Sequence, residues 1–111
     1  FDLAKVYEEE NIIDSSFILL EKAKKIWLIH SDTFRIVGIN NALINLHIKN
    51  KNFEKTLPLI DENDKLIQKE TFQETPLLEF YKLRIAVYKE TKQQAKLEKA
   101  EADLENLEKS L

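Results

Sequence analysis

The chain has 111 residues, a formal net charge of −3 and no cysteine. That length supports one domain with its own core, here taken as residues 1–111, and the missing thiols exclude disulfide frameworks, thiolate metal sites and cysteine nucleophiles. One glycine (Gly38) and two prolines (Pro58, Pro76) fall far below the usual shares of about 7% and 5%, which argues against sandwiches, barrels and Rossmann domains, whose tight turns need those residues.

Taken in chain order, the apolar residues repeat at helical spacing almost everywhere. Residues 1–9, with Leu3 and Val6, read as the end of an earlier helix, closed by a turn at Glu10-Asn11. Ile13, Phe17, Leu20, Ala23 and Trp27 then form a stripe at steps of three and four. Ser31-Asp32-Thr33 supplies side-chain oxygens that cap a following helix, with His30 placed to meet the negative end of the preceding dipole. Ile36, Ile39, Leu43 and Leu46 make the next stripe, ended by an Asn50-Lys51-Asn52 turn in which asparagine is expected to take the left-handed conformation.

Phe53, Leu57, Ile60 and Ile67 form a third stripe. Pro58 lies inside it, so that helix either starts near Leu57 or bends there. Thr75-Pro76 reads as a cap followed by proline at the first helical position, opening a stripe of Leu77, Phe80, Leu83 and Val87. Leu97, Ala100, Leu104, Leu107 and Leu111 step three, four, three, four, the spacing of a coiled-coil seam, and are expected to pair two chains into a homodimer. The alternative is a terminal helix lying on the hairpin before it.

A shift of 40 residues superimposes Leu3, Leu43 and Leu83, then Phe17, Leu57 and Leu97, then Trp27, Ile67 and Leu107, with the expected turns in register. The expected fold is therefore all-α: a right-handed stack of antiparallel helical hairpins, an α-solenoid of about 2.5–3 repeats of 40 residues. An irregular bundle whose hairpins share a length is the alternative.

The stretch from Asn41 through Leu43, Phe53 and Thr56 to Leu57 resembles a tetratricopeptide (TPR) unit. Leu43 and Phe53 match the family pattern; Lys51 and Ile44 stand where it carries glycine, and Thr56 where it carries alanine. The third unit is poorer, with Thr91 at the turn and Gln93 at the aromatic position, so the array is a degenerate one, its spacing longer than the standard 34. Arg35 to Leu59, followed by Leu77 to Lys89, resembles the C-terminal domains of Rgg-type regulators, peptide-responsive bacterial transcription factors. That resemblance implies a helical regulatory domain that dimerises and binds a short peptide, with a DNA-reading helix-turn-helix elsewhere in the protein.

In a TPR-like array the first helix of each unit lines a concave groove. On the register above, the peptide-binding residues are Gly38, Asn41, Asn45 and Lys49 from the second unit and Leu78, Tyr81 and Ile85 from the third, with Ile48, Tyr88 and Lys5 near them. A carboxamide can donate to a peptide carbonyl while accepting from its N–H, which is the chemistry expected of Asn41 and Asn45. Gly38 sits mid-helix at a cost of about 1 kcal/mol relative to alanine, explained if a neighbouring helix or a ligand comes close.

His47 falls on the packed face. The two histidines lack HExxH spacing, and Asp61-Glu62-Asn63-Asp64 starts like a calcium loop but has Leu66 where glycine is needed, so no metal is expected. No GxSxG setting or glycine-rich phosphate loop occurs, and neither enzyme activity nor a cofactor is expected. The chain starts at Phe1 and lacks methionine, as an excised piece of a longer protein would. With no signal-peptide pattern and no apolar run of about 20 residues, a cytoplasmic location without membrane contact is expected. The functional expectation is a peptide-binding sensor domain of a transcription regulator; the alternative is a TPR-like scaffold joining some other signalling protein to a protein segment.

Overall fold

Three chain reversals made without glycine set the order of the helices. In the computed structural model, which describes the backbone of residues 3–69 and 74–110, α1 (Leu3–Ile29), α2 (Thr33–Lys49), a 3₁₀ turn (Phe53–Thr56), α3 (Leu57–Lys69), α4 (Glu74–Glu90) and α5 (Gln94–Lys109) follow one another, with no strand among the described residues. The all-α expectation holds.

Ser31, Lys51 and Lys92 take φ of 53°, 58° and 57°. Each closes the same pair of backbone bonds. The Lys51 N–H donates to the Ile48 carbonyl and the Asn52 N–H to that of His47, and the same offsets recur at Ser31-Asp32 and Lys92-Gln93. This is the Schellman motif, which satisfies carbonyls left open at a helix end. The left-handed position falls to Lys51 and not to Asn50 (φ −88°) or Asn52 (φ −98°), where the asparagines of the turn had placed the expectation.

Asp32 caps α2, its Oδ1 accepting from the Arg35 N–H at 3.1 Å and its Oδ2 from Arg35 Nε at 3.2 Å. The 3₁₀ turn absorbs Phe53–Thr56, so α3 starts at Leu57 and Pro58 falls in its first turn, where a missing N–H leaves no ladder bond unmade. Pro76 is the third residue of α4 rather than the first, again within the first turn. Thr75 as a cap lies outside the described side chains.

Helix α1 corrects the expected hairpin count. It runs unbroken for 27 residues through Glu10-Asn11, where a turn was expected. Neither residue blocks an i→i−4 bond, and no glycine or proline lies in the helix to end it. The first of the three expected turns in 40-residue register is therefore absent, while the other two are present.

α1 lies on α2; α2 also packs on the 3₁₀ turn, α3 and α4; and α4 packs on α5. The core runs continuously through Ile44, Ile60, Phe80, Val87, Tyr88, Leu97 and Ala100, with Ile36, Val37 and Leu43 buried on α2. Leu97 and Ala100 thus belong to the interior of one chain, and this part of the expected α5 dimer seam is spent on α4. Leu104 and Leu107 are half-buried, and Leu111 lies outside the described residues.

Candidate functional site

The buried faces of α2 and α3 carry amides as well as hydrocarbon. Asn40, Asn41 and Asn63 are fully buried. Asn40 Nδ2 donates to Glu62 Oε1 at 2.6 Å and to Asn63 Oδ1 at 2.9 Å. Asn63 Nδ2 donates to Asn41 Oδ1 at 3.1 Å, and Asn41 Nδ2 to the Pro76 carbonyl at 3.0 Å. Lys24 on α1 meets the same Glu62 oxygen at 2.8 Å. One polar chain therefore links α1, α3, α2 and α4. Burial pushes the Glu62 carboxyl up, but the Lys24 ammonium and the Asn40 amide outweigh it and hold the group below its usual range.

Arg84 does the same for the other half of the molecule. It is buried on α4, donates from Nη1 to Asp64 Oδ1 at 2.7 Å on α3 and from Nη2 to Asp103 Oδ2 at 3.0 Å on α5. Its guanidinium carbon lies 4.7 Å from the Tyr81 ring centroid and 5.4 Å from that of Phe80. Burial raises the Asp64 carboxyl, and Arg84 offsets that only in part. Burial likewise raises Tyr81 and Tyr88, so both hydroxyls stay protonated at neutral pH and can donate. Beside this ion pair lies a cleft of about 190 Å³ whose lining mixes Asp61 and Asp64 with Lys96 and Lys99.

The groove with binding character lies across α2. A concavity of about 450 Å³ is walled by Ser16, Leu19 and Leu20 of α1, floored by Ala42, Asn45 and Leu46 of α2, and closed by Glu79 of α4. A second, separate concavity of about 430 Å³ is lined by Ile48 and Phe53 together with Lys82, Ile85, Ala86 and Lys89 of α4. An apolar lining with a few polar groups is what small-ligand sites commonly have.

The expected peptide contacts divide among several places. Asn45 lies in the first concavity and Ile85 in the second. Asn41 does not face a groove: its amide nitrogen and oxygen are both engaged inside the chain, and this corrects the expectation for that residue. Tyr81 packs against Arg84, Leu78 is half-buried outside both concavities, and Lys49 is exposed. Gly38 is exposed too, and a Cβ added there would meet nothing within 4 Å, so no neighbouring helix accounts for it. Lys5 lies outside the described side chains.

His47 is half-buried with its ring 4.7 Å from that of Phe17 and its Nδ1 buried without a partner among the described residues. Asp61 to Asp64 form a turn of α3 in which Asn63 points inward and Asp64 meets Arg84. Among the described residues no helix is long and apolar enough to cross a membrane.

Asn40, Asn63 and Arg84 were not singled out from the sequence, yet a signal was there. Each sits on an apolar stripe: Asn40 between Ile36 and Ile44, Asn63 between Ile60 and Ile67, Arg84 between Phe80 and Tyr88. Comparison with known proteins adds no relative: no family model, curated protein or solved structure matches the chain.

Proposed function

We propose that this chain is a TPR-like binding module that takes a short peptide in the groove across α2, as the sensor part of a peptide-responsive transcription regulator. The observation that carries this is the groove at Asn45. There the Asn45 carboxamide and the Glu79 carboxylate line a surface shared with Leu19, Leu20 and Leu46, beside a Ser16 hydroxyl that donates to the Ile12 carbonyl. An extended peptide would exchange backbone bonds with Asn45 and bury apolar side chains along α1, with Glu79 favouring a peptide that carries a positive charge. The packing order supports a TPR-like stack: α2 touches its own second helix, α3, and the next first helix, α4, which touches α5. Because the groove draws on α1, α2 and α4, a bound peptide favours one setting of three helices at once. That is the linkage a sensor needs to pass its state to an attached domain.

Calorimetric titration with short hydrophobic peptides, half of them carrying a lysine, tests the proposal. The expected result is saturable binding that weakens about tenfold in Asn45→Ala, the loss of one hydrogen bond of roughly 1.4 kcal/mol. No binding by any peptide, or equal binding by Asn45→Ala, overturns it. A scaffold reading gives the opposite preference: weak binding of short peptides and tight binding of a folded protein segment.

A further inference from the structure

Helix α1 carries a second apolar face that nothing among the described residues covers. Ile12, Ile18, Leu19, Ile26 and Ile29 are between 52 and 81% exposed. At 100° per residue they fall in one arc of about 120°, shared with Ser15 and Lys22 and turned away from the Phe17, Leu20 and Trp27 side that meets α2. Ile12, Leu19 and Ile26 are each seven residues apart, the repeat that keeps a seam facing a partner helix.

We infer that this face receives the same face of a second copy of the chain, antiparallel, with Leu19 on the two-fold axis and Ile12 opposite Ile26 of the other copy. Three observations select this occupant. The first is symmetry: Ile12, Leu19 and Ile26 are centred on Leu19, so a two-fold rotation sets Ile12 on Ile26 and Leu19 on its own copy, with Ile18 and Ile29 flanking that seam. The second is charge. In sequence the first half of α1 carries Glu8, Glu9, Glu10 and Asp14 against Lys5, a net acidic half, and the second carries Lys22 and Lys25 against Glu21, a net basic one, with Lys24 committed to Glu62. An antiparallel pair sets acidic half against basic half and opposes the two helix dipoles, whereas a parallel pair sets like against like. The third is area. Five such side chains put roughly 600 Å² of apolar surface on the face, the top of the range a monomer ordinarily leaves exposed, and two copies that cover all of it reach the about 1,200 Å² at which stable interfaces begin. The pairing expected of α5, where Leu97 and Ala100 are buried on α4, thus has a different seat. This inference does not depend on a peptide occupying the groove at Asn45.

Sedimentation equilibrium of the 111-residue chain tests it. The wild type is expected to be a dimer at micromolar concentration. Ile12→Lys and Ile26→Glu, each at an exposed site, are expected to weaken the dimer at least 100-fold while leaving the helical circular dichroism unchanged. Both changes made in one chain set an ammonium against a carboxylate twice across the axis and are expected to restore the dimer. A wild type that stays monomeric at 100 µM overturns the inference, as does a dimer indifferent to either single change. A monomer that binds anionic phospholipid vesicles, and loses that binding in Ile26→Glu, overturns it in favour of a membrane surface.

Discussion

His47 shows how one half-buried ring can give the fold its response to acid. Burial first, and the Lys55 ammonium after it, lower the imidazole pKa, with Glu21 opposing. A base whose folded pKa is depressed is protonated earlier in the unfolded chain, so stability is full above about 6.5 and falls as pH drops through the folded value. Glu62, held below its usual range, has the same sign in a lower window, below about 4.5. Asp64, raised by burial, has the opposite sign and favours the folded state as it protonates. Urea unfolding at a series of pH values is therefore expected to show a midpoint that declines as pH falls below about 6.5. In His47→Phe, where the new ring keeps the stacking on Phe17 and removes the orphaned Nδ1, that slope is expected to vanish and the plateau stability to rise. An unchanged slope in the variant would assign the response to other groups.

At the scale of helices, the chain uses amides where an ordinary bundle would use methyl groups. Asn63 occupies the centre of the α2–α3 contact, donating to Asn41 and accepting from Asn40. Asn63→Ala is expected to cost about 2–4 kcal/mol, since it removes two buried bonds and orphans the Asn41 oxygen, and a urea midpoint measures it. A loss under about 0.5 kcal/mol would mean that the amides repack among themselves. These residues mark the limit of what the apolar pattern makes legible. Helices were legible because Leu, Ile and Phe recur every three or four residues; Ser31-Asp32-Thr33 bracketed the start of α2 within three residues, while Pro58 left a start near Leu57 and a bend both open. The faces were legible only approximately. Ile36, Ile39, Leu43 and Leu46 define a stripe by hydrophobicity, but α2 buries Ile36, Val37, Asn40, Asn41, Leu43 and Ile44, a face rotated toward its amides. A buried asparagine whose partner lies 22 residues away has no local signature, and in an Asn-rich helix it resembles a surface one. The same blindness placed Asn41 in the groove, whereas Asn45, one turn on, does lie there. The Glu10-Asn11 turn failed for a different reason: asparagine permits a left-handed residue without requiring one, and the chain kept its helix.

For the whole molecule the consequence is an uneven distribution of stability. α2 is covered by α1, α3 and α4, and the continuous core lies among α2, α3, α4 and α5. No described residue of α1 belongs to that core. α1 is held chiefly by its contact with α2, by Lys24 on Glu62, and by Trp27, over whose ring Arg35 of α2 sits at 4.3 Å. Cooperative units open in order of how much they bury, so α1 is expected to detach from the rest below the free energy of global unfolding. Native-state hydrogen exchange reads this directly: amides of α1 should exchange at least roughly tenfold faster than those of α2 and α4 under the same conditions. Trp27, the only tryptophan, should report the same early step as a fluorescence change in urea that precedes the loss of helical signal. Both proposed partners act on this helix. A peptide against Leu20 ties α1 to α2 and α4, while a second copy on Ile12 and Ile26 covers its outer face, and the two seats share Leu19 at their common edge. Each should slow α1 exchange by mass action, in proportion to ligand or chain concentration. The two are separable: protection by peptide should be lost in Asn45→Ala and kept in Ile26→Glu, and protection by concentration should behave the other way round. If α1 exchanges no faster than α2, it is an integral part of the core, and neither partner has a loose helix to capture.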